Sequence, residues 1–233
     1  GAGAGGLSAG YLLQQKGIDF EILEASSVYG GRMKIDTDFA DFPIPLGSEW
    51  IETGTEIFDE IVNDSSVNVD LTTIPDDSDR KFVNYSWFNF FEDYVVPSVS
   101  EKIQFNTIVE NIDYSGNEVV VTTQNGQHTA DRIIVAVPLK VLQDGDISFS
   151  PALPQAKQSA IANTRIWEGF KAFFEFTDNF YDDMQFPVTP ETDGEKWQYD
   201  AAFGQNSSKN ILGLFAVGTP ALDYTSRSGN DLR

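Results

Sequence analysis

The chain has 233 residues, 41% hydrophobic and 13% aromatic, enough apolar material for one large or two small cored domains and too much for a disordered chain. Thirty-six acidic residues against fifteen Lys plus Arg leave a formal charge of −21, a field that repels nucleic acid and anionic membrane surfaces and attracts small cations. There is no cysteine, which excludes a disulfide framework, a thiolate metal site and a thiol nucleophile.

In chain order, the sequence opens directly on GAGAGG, where Gly1, Gly3 and Gly6 satisfy G-x-G-x-x-G. LSAGYLLQQK has apolar residues at helical spacing and predicts a helix over 7–16, stopped by Gly17. IDFEILEA alternates and predicts a strand ending at Glu24. MKIDTDF and FPIPLGSEWI read as short strands around a turn, and TEIFDEIVND as a short helix. The polar, acidic stretch Ser65 to Arg80 reads as loop. WFNFFEDYVVP predicts an aromatic helix that stops before Pro97. Its Trp87, Phe88, Phe90 and Phe91 are spread around the helix, which favours core packing over an amine cage.

The centre is β: EKIQF, TIVENIDYS and NEVVVTT are strands, and QNGQ marks a hairpin. The single histidine, His128, reads as an exposed residue flanking that turn. RIIVAVP is a continuous apolar run of the kind expected for a strand buried on both faces. PLKVLQD and PQAKQSAIAN are short helices, IWEGFKAFFEF is a long strand, Thr177 to Asn210 is loop-like, and ILGLFAVG is a further strand. No apolar run has the length of a membrane span, and no signal or transit segment is visible.

The glycine loop has a mechanical reading. Gly1 permits the tight turn, Gly3 lets a pyrophosphate approach the backbone, and Gly6 lets the helix lie close to the strand. The helix then aims its N-terminal amides at the phosphate. Glu24 falls about twenty residues on, where a carboxylate hydrogen-bonds a ribose hydroxyl and disfavours a 2′-phosphate. Dinucleotide binding follows from this combination; a plain βαβ unit with a surface Glu is the alternative.

FEILEASSVYGGRM resembles the flavin-containing amine oxidase family, and within it the polyamine oxidases. The resemblance implies that Glu24 binds the adenosine ribose of FAD, that Gly30 and Gly31 let backbone lie against the cofactor, and that Arg32 neutralises pyrophosphate charge. PLGSEWIETG is similar to the segment beside the isoalloxazine ring, with Gly47, Ser48 and Trp50 in cofactor positions. It places Glu52 where some polyamine oxidases face the substrate amine with a carboxylate; a solvated loop Glu is an equal reading. KIQFNTIVENIDY resembles the segment whose backbone, here near Val109, bonds the adenine. RIIVAVPLKVL with ISFSPALPQAKQSAI is the most specific match and looks structural. On IWEGFKAFFEF the family's lysine, here Lys171, holds a water against flavin N5; an outward-pointing Lys is the alternative.

The expected fold is therefore α/β: a Rossmann-like FAD-binding domain (residues 1–64 and 98–150) with an attached antiparallel or mixed β-sheet substrate domain (65–97 and 151–233), in a partial chain truncated at both ends. The implied function is FAD-dependent oxidation of an amine, a polyamine first, to an imine with O2 as acceptor, giving H2O2. Without a cysteine, the FAD is expected to be non-covalent. Expected partners are a small cationic amine and O2, with no nucleic acid and no membrane span. The competing readings are an L-amino-acid, porphyrinogen or carotenoid oxidase, and a non-catalytic subunit that keeps the fold.

Overall fold

Helix formation begins at once behind the glycine loop: the computed structural model has a helix over Ala4–Gln15, with Gly3 as its N-cap and Gly6, Leu7, Gly10 and Tyr11 on its buried face. The structure describes residues 1–63, 66–75, 78–181, 184–185, 193–228 and 231. The chain divides into two units, one of Gly1–Met33, Glu56–Val67 and Phe88–Ile166, the other of Lys34–Thr55, Asn68–Trp87 and Trp167–Arg233. These boundaries differ from the sequence-based division. Residues 34–55 fold with the second unit because Ile35–Asp36 pairs with Ile44–Pro45 and the following turn engages the strand Gly169–Phe176. Residues 88–97 and 151–166 fold with the first.

In the first unit the opening helix ends at Gly17, which takes the left-handed conformation (φ +65°). The strand that follows is only Ile22–Leu23, shorter than expected, and pairs in parallel with Ile103–Gln104. A Cβ on Gly10 would lie 2.8 Å from Ile22 Cδ1, so a glycine sets the helix-to-strand distance here. Tyr11 donates to the Val62 carbonyl (3.1 Å) and ties in the helix Glu56–Val62. The aromatic helix spans Trp87–Tyr94 and buries Phe90 and Phe91, with Phe90 5.1 Å from Phe58. It stops before Pro97 as expected, and a second short helix, Val96–Val99, then carries Pro97 in its first turn, where a missing N–H leaves no bond unmade.

The same unit holds a four-stranded sheet ordered Ser148–Ser150, Val109–Asp113, Val119–Thr123, Gly126–Ala130; the first pair is parallel and the others antiparallel. The hairpin falls at Gln124–Asn125 as expected, with Gly126 at φ +140°. His128 is a half-buried strand residue, its Nδ1 2.9 Å from Glu21, rather than an exposed turn neighbour. RIIVAVP departs most from expectation. It forms no strand, and Ile133, Ile134 and Val135 are 39%, 61% and 41% exposed, because no described strand lies against it to bury its faces. Helices Leu139–Asp144 and Gln155–Asn163 complete the unit.

The second unit is built on an antiparallel sheet ordered Gly169–Phe176, Asn210–Gly218, Gly194–Asp200, Met184–Gln185. Two corrections apply. Leu71–Thr73, inside the expected 65–80 loop, pairs antiparallel with Arg80–Phe82 at its end, and Gly194–Asp200 is a full strand within the expected 177–210 loop. The ribbon is too short and polar to show a period, and Gly194–Asp200 pairs with Asn210–Gly218, which supplies the apolar side. Residues 65 and 76–77 of the first stretch, and 182–183 and 186–192 of the second, lie outside the described residues.

The core of this unit gathers Phe42, Ile44, Tyr199, Ala201 and Ile211, flanked by Trp50, Phe173 and Phe215. Gly213 faces Tyr199 across the sheet, and a Cβ there would meet the Tyr199 ring at 2.6 Å. Gly213→Ala is therefore expected to destabilise this unit by about 1–3 kcal/mol through overpacking, read as a lowered urea midpoint. An unchanged midpoint would show that the ring has room to move.

Candidate active site

In the first unit the glycine loop and the end of the short strand meet through Glu24. Its Oε2 accepts the Ala2 N–H (2.6 Å), and its Oε1 accepts the Ser26 N–H (2.9 Å) and hydroxyl (2.7 Å). Burial pushes the Glu24 pKa up, but the Ser26 hydroxyl and the Ala2 and Ser26 amides outweigh it, and the net shift is downward. Gly30 closes the arrangement by donating to the Ala2 carbonyl (2.9 Å).

The glycines fit a close-approach role. A Cβ on Gly6 would drive into the Gly1 carbonyl, and one on Gly31 (φ +54°) would come within 3.2 Å of Gly3 Cα. The helix start has no side-chain cap and no acidic residue in its first turn, so its amides keep their partial positive charge for an anion. Gly1, Gly3, Gly6, Glu24, Gly30 and Gly31 are thus brought together, and their chemistry fits an adenosine diphosphate: anion-seeking amides and bare backbone for the phosphates, a charged carboxylate for a ribose. Arg32 sits exposed in the turn Gly31–Met33. Val109 opens a sheet strand opposite Thr123, next to a register shift that frees backbone from regular pairing.

In the second unit Lys171 is not an outward-pointing residue. Its Nζ donates to the Pro45 carbonyl (3.2 Å), the Gly47 carbonyl (2.9 Å) and Glu49 Oε2 (2.8 Å), and its side chain is 8% exposed. Its ammonium also lies 5.0 Å from the Trp50 ring centroid and 5.4 Å from that of Phe215. Glu49 is the hub. The Tyr199 hydroxyl donates to its Oε2 (2.6 Å), and Lys81 Nζ lies 3.5 Å from its Oε1 while donating to the Ala201 carbonyl (3.0 Å).

One carboxylate therefore stands between two buried ammonium groups. Burial pushes Glu49 up, but the charges of Lys171 and Lys81 and the bonds from Lys171 and Tyr199 hold its pKa below the usual range. Burial lowers Lys81, with Glu49 opposing, and burial together with the Glu49 charge raises Tyr199 well above its ordinary value.

The sequence-derived candidates divide here. Gly47 contributes a carbonyl to Lys171, and Trp50 packs its ring against Tyr199 (5.3 Å) and Phe215 (5.8 Å). Ser48 is exposed, and Glu52 is exposed just beyond Ile51, which bridges to Arg80. Lys171 and Glu52, the two catalytic candidates, thus occupy different environments. The sequence places Glu49 only as the variable position of the segment PLGSEWIETG, and it does not single out Lys81 or Tyr199. The available signal was a charged residue inside the apolar run FPIPLGSEWI. Among the described residues no group of three or more His, Cys, Asp or Glu could hold a metal ion, and no helix is long and apolar enough to cross a membrane.

A glycine-loop unit and an antiparallel sheet unit with a buried lysine thus lie in one chain. The family model for flavin containing amine oxidoreductase matches residues 4–89 and 91–228, and the chain belongs to that family. Polyamine oxidase 2 of Arabidopsis thaliana is 37% identical over 110 residues, 46% of this chain and 20% of that protein. Lysine-specific histone demethylase 1B of Mus musculus is 31% identical over 116 residues, 47% of this chain and 14% of that protein. The matched region is thus a fifth or less of either relative. A putrescine oxidase mutant shares the fold, with a TM-score of 0.78 at 13% identity over 99% of this chain and 77% of that one.

Proposed function

We propose that the chain belongs to an FAD-dependent enzyme that oxidises a small cationic amine, a polyamine first, to an imine, with O2 as the final acceptor and H2O2 as the second product. The Glu24–Ala2–Gly30 cradle carries this reading, because it gathers the groups a two-phosphate adenosine cofactor needs. The relatives described above, a polyamine oxidase, a putrescine oxidase and a lysine demethylase, all have names that concern amines. The −21 charge supports a cationic substrate. When bound, FAD supplies the two-electron acceptor for the carbon beside the amine nitrogen.

The protein's part is binding, orientation and electrostatics. Glu24 would hold the ribose. Gly1, Gly3, Gly6, Gly30, Gly31 and Arg32 would hold the pyrophosphate, and the backbone near Val109 the adenine. Gly47, Ser48 and Trp50 would serve the flavin end, Lys171 would hold a water, and Glu52 would compensate substrate charge. FAD is proposed to be non-covalent, since the 233 residues contain no cysteine to carry a thioether. Glu24→Ala removes a charged acceptor and is expected to weaken FAD binding by about 10–100-fold, measured by titration of flavin fluorescence. Unchanged affinity would remove Glu24 from the site. The substrate class is tested by anaerobic bleaching of the flavin bands: spermidine or putrescine should bleach them and L-amino acids should not. The reverse pattern would move the protein to the amino-acid oxidase reading, and no bleaching by any amine would favour the non-catalytic one.

A further inference from the structure

We infer that Glu49 is a positioning residue for Lys171, an inference that rests on the amine oxidase reading for its catalytic half. A lysine ammonium has three protons and no lone pair. On Lys171 all three are matched, by Pro45 O, Gly47 O and Glu49 Oε2. A water can join only by replacing one acceptor. The bond to Pro45 O, at 3.2 Å, is the longest and the cheapest to give up, while the 2.8 Å charge-assisted bond to Glu49 is the strongest of the three.

Glu49 thereby decides which proton Lys171 can lend, and along which direction. Glu49 is itself fixed from two sides, by the Tyr199 hydroxyl at 2.6 Å and by Lys81 at 3.5 Å, and its side chain is only 2% exposed. Trp50 and Phe215 wall the ammonium with ring faces, which offer it no competing oxygen. Glu49 touches neither substrate nor cofactor in this scheme; it acts through Lys171.

The test has two arms. The first uses flavin-free protein labelled with 15N-lysine. The wild type should show a slowly exchanging ammonium signal that disappears in Lys171→Met and persists in Lys81→Met. Glu49→Gln alone strands two buried ammonium groups, so it is made together with Lys81→Met. In that pair the Lys171 signal should exchange faster by about tenfold or more, as expected for loss of a charge-assisted bond. A wild-type Lys171 signal already in fast exchange with water would overturn the inference without any variant.

The second arm uses FAD-loaded protein in the Lys81→Met background. Glu49→Gln and Lys171→Met should each lower kcat for the amine with little change in KM, and together they should cost no more than Lys171→Met alone. Additive losses would show that Glu49 does not act through Lys171. Failure to take up FAD would remove the amine oxidase reading and the catalytic half with it, while the first arm would still report whether Glu49 holds the ammonium.

Discussion

Glu49→Ala is expected to be among the most damaging single substitutions in the second unit, costing about 3–5 kcal/mol, because it leaves Lys171 and Lys81 buried without their shared anion. The wild-type arrangement is tolerable only because each ammonium also has carbonyl acceptors, two for Lys171 and one for Lys81. Those carbonyls hydrogen-bond but do not neutralise. The same carboxylate gives a pH signature. Its folded pKa lies below the ordinary 4.5, so its stabilisation is fully present above that value. As pH falls the unfolded chain binds the proton first, and the contribution is lost through the lowered folded pKa. Thermal unfolding followed from pH 7 down to pH 3 should therefore show a steep acid loss in the wild type and a shallower one in Glu49→Ala. A variant of wild-type stability with the same acid limb would show that the cluster is solvated.

Gly6→Ala is the largest effect expected in the first unit. The added methyl points at the Gly1 carbonyl and also reaches Ala136 Cβ at 3.7 Å. The obstacle is backbone, so no side chain can swing aside, and the loop must open. Overpacking of this kind costs about 1–3 kcal/mol or more, and here it also misaligns the amides at the helix start. The protein should purify without FAD and bind added FAD weakly, because the displaced Gly1–Ala2 peptide also carries the N–H that Glu24 accepts. Retention of FAD at wild-type affinity would place the phosphates elsewhere. Gly3→Ala makes a useful contrast, because a Cβ there meets only Gly31 Cα, at 3.9 Å. That variant reports on room for the cofactor rather than on the fold.

The parts of this molecule legible in its sequence are those governed by local rules. The glycine spacing, the helix behind it and the carboxylate of Glu24 follow from close backbone approach and a short helix-to-strand connection, and the structure brings them together. The β meander at 109–130 is equally local, set by alternation and a hairpin signal. RIIVAVP misleads because its apolar run reports a demand for neighbours rather than their presence. Gly194–Asp200 was missed because its sequence, GEKWQYD, pairs large polar residues with a partner strand that carries the apolar load. The Glu49 hub was illegible for a related reason. Lys81, Lys171 and Tyr199 reach it across 32, 122 and 150 residues of chain, and charge pairing at that separation leaves no periodic trace.

Whether the glycine cradle and Glu24 hold FAD is measured most directly by reconstitution. Purified protein is incubated with FAD, freed of excess by gel filtration, and its visible spectrum is recorded before and after acid precipitation. The wild type should show flavin bands at close to one FAD per chain and full release of the flavin into the acid supernatant, and both Glu24→Ala and Gly6→Ala should lose the bands. A protein that elutes colourless, or one whose flavin is retained equally by both variants, would contradict it.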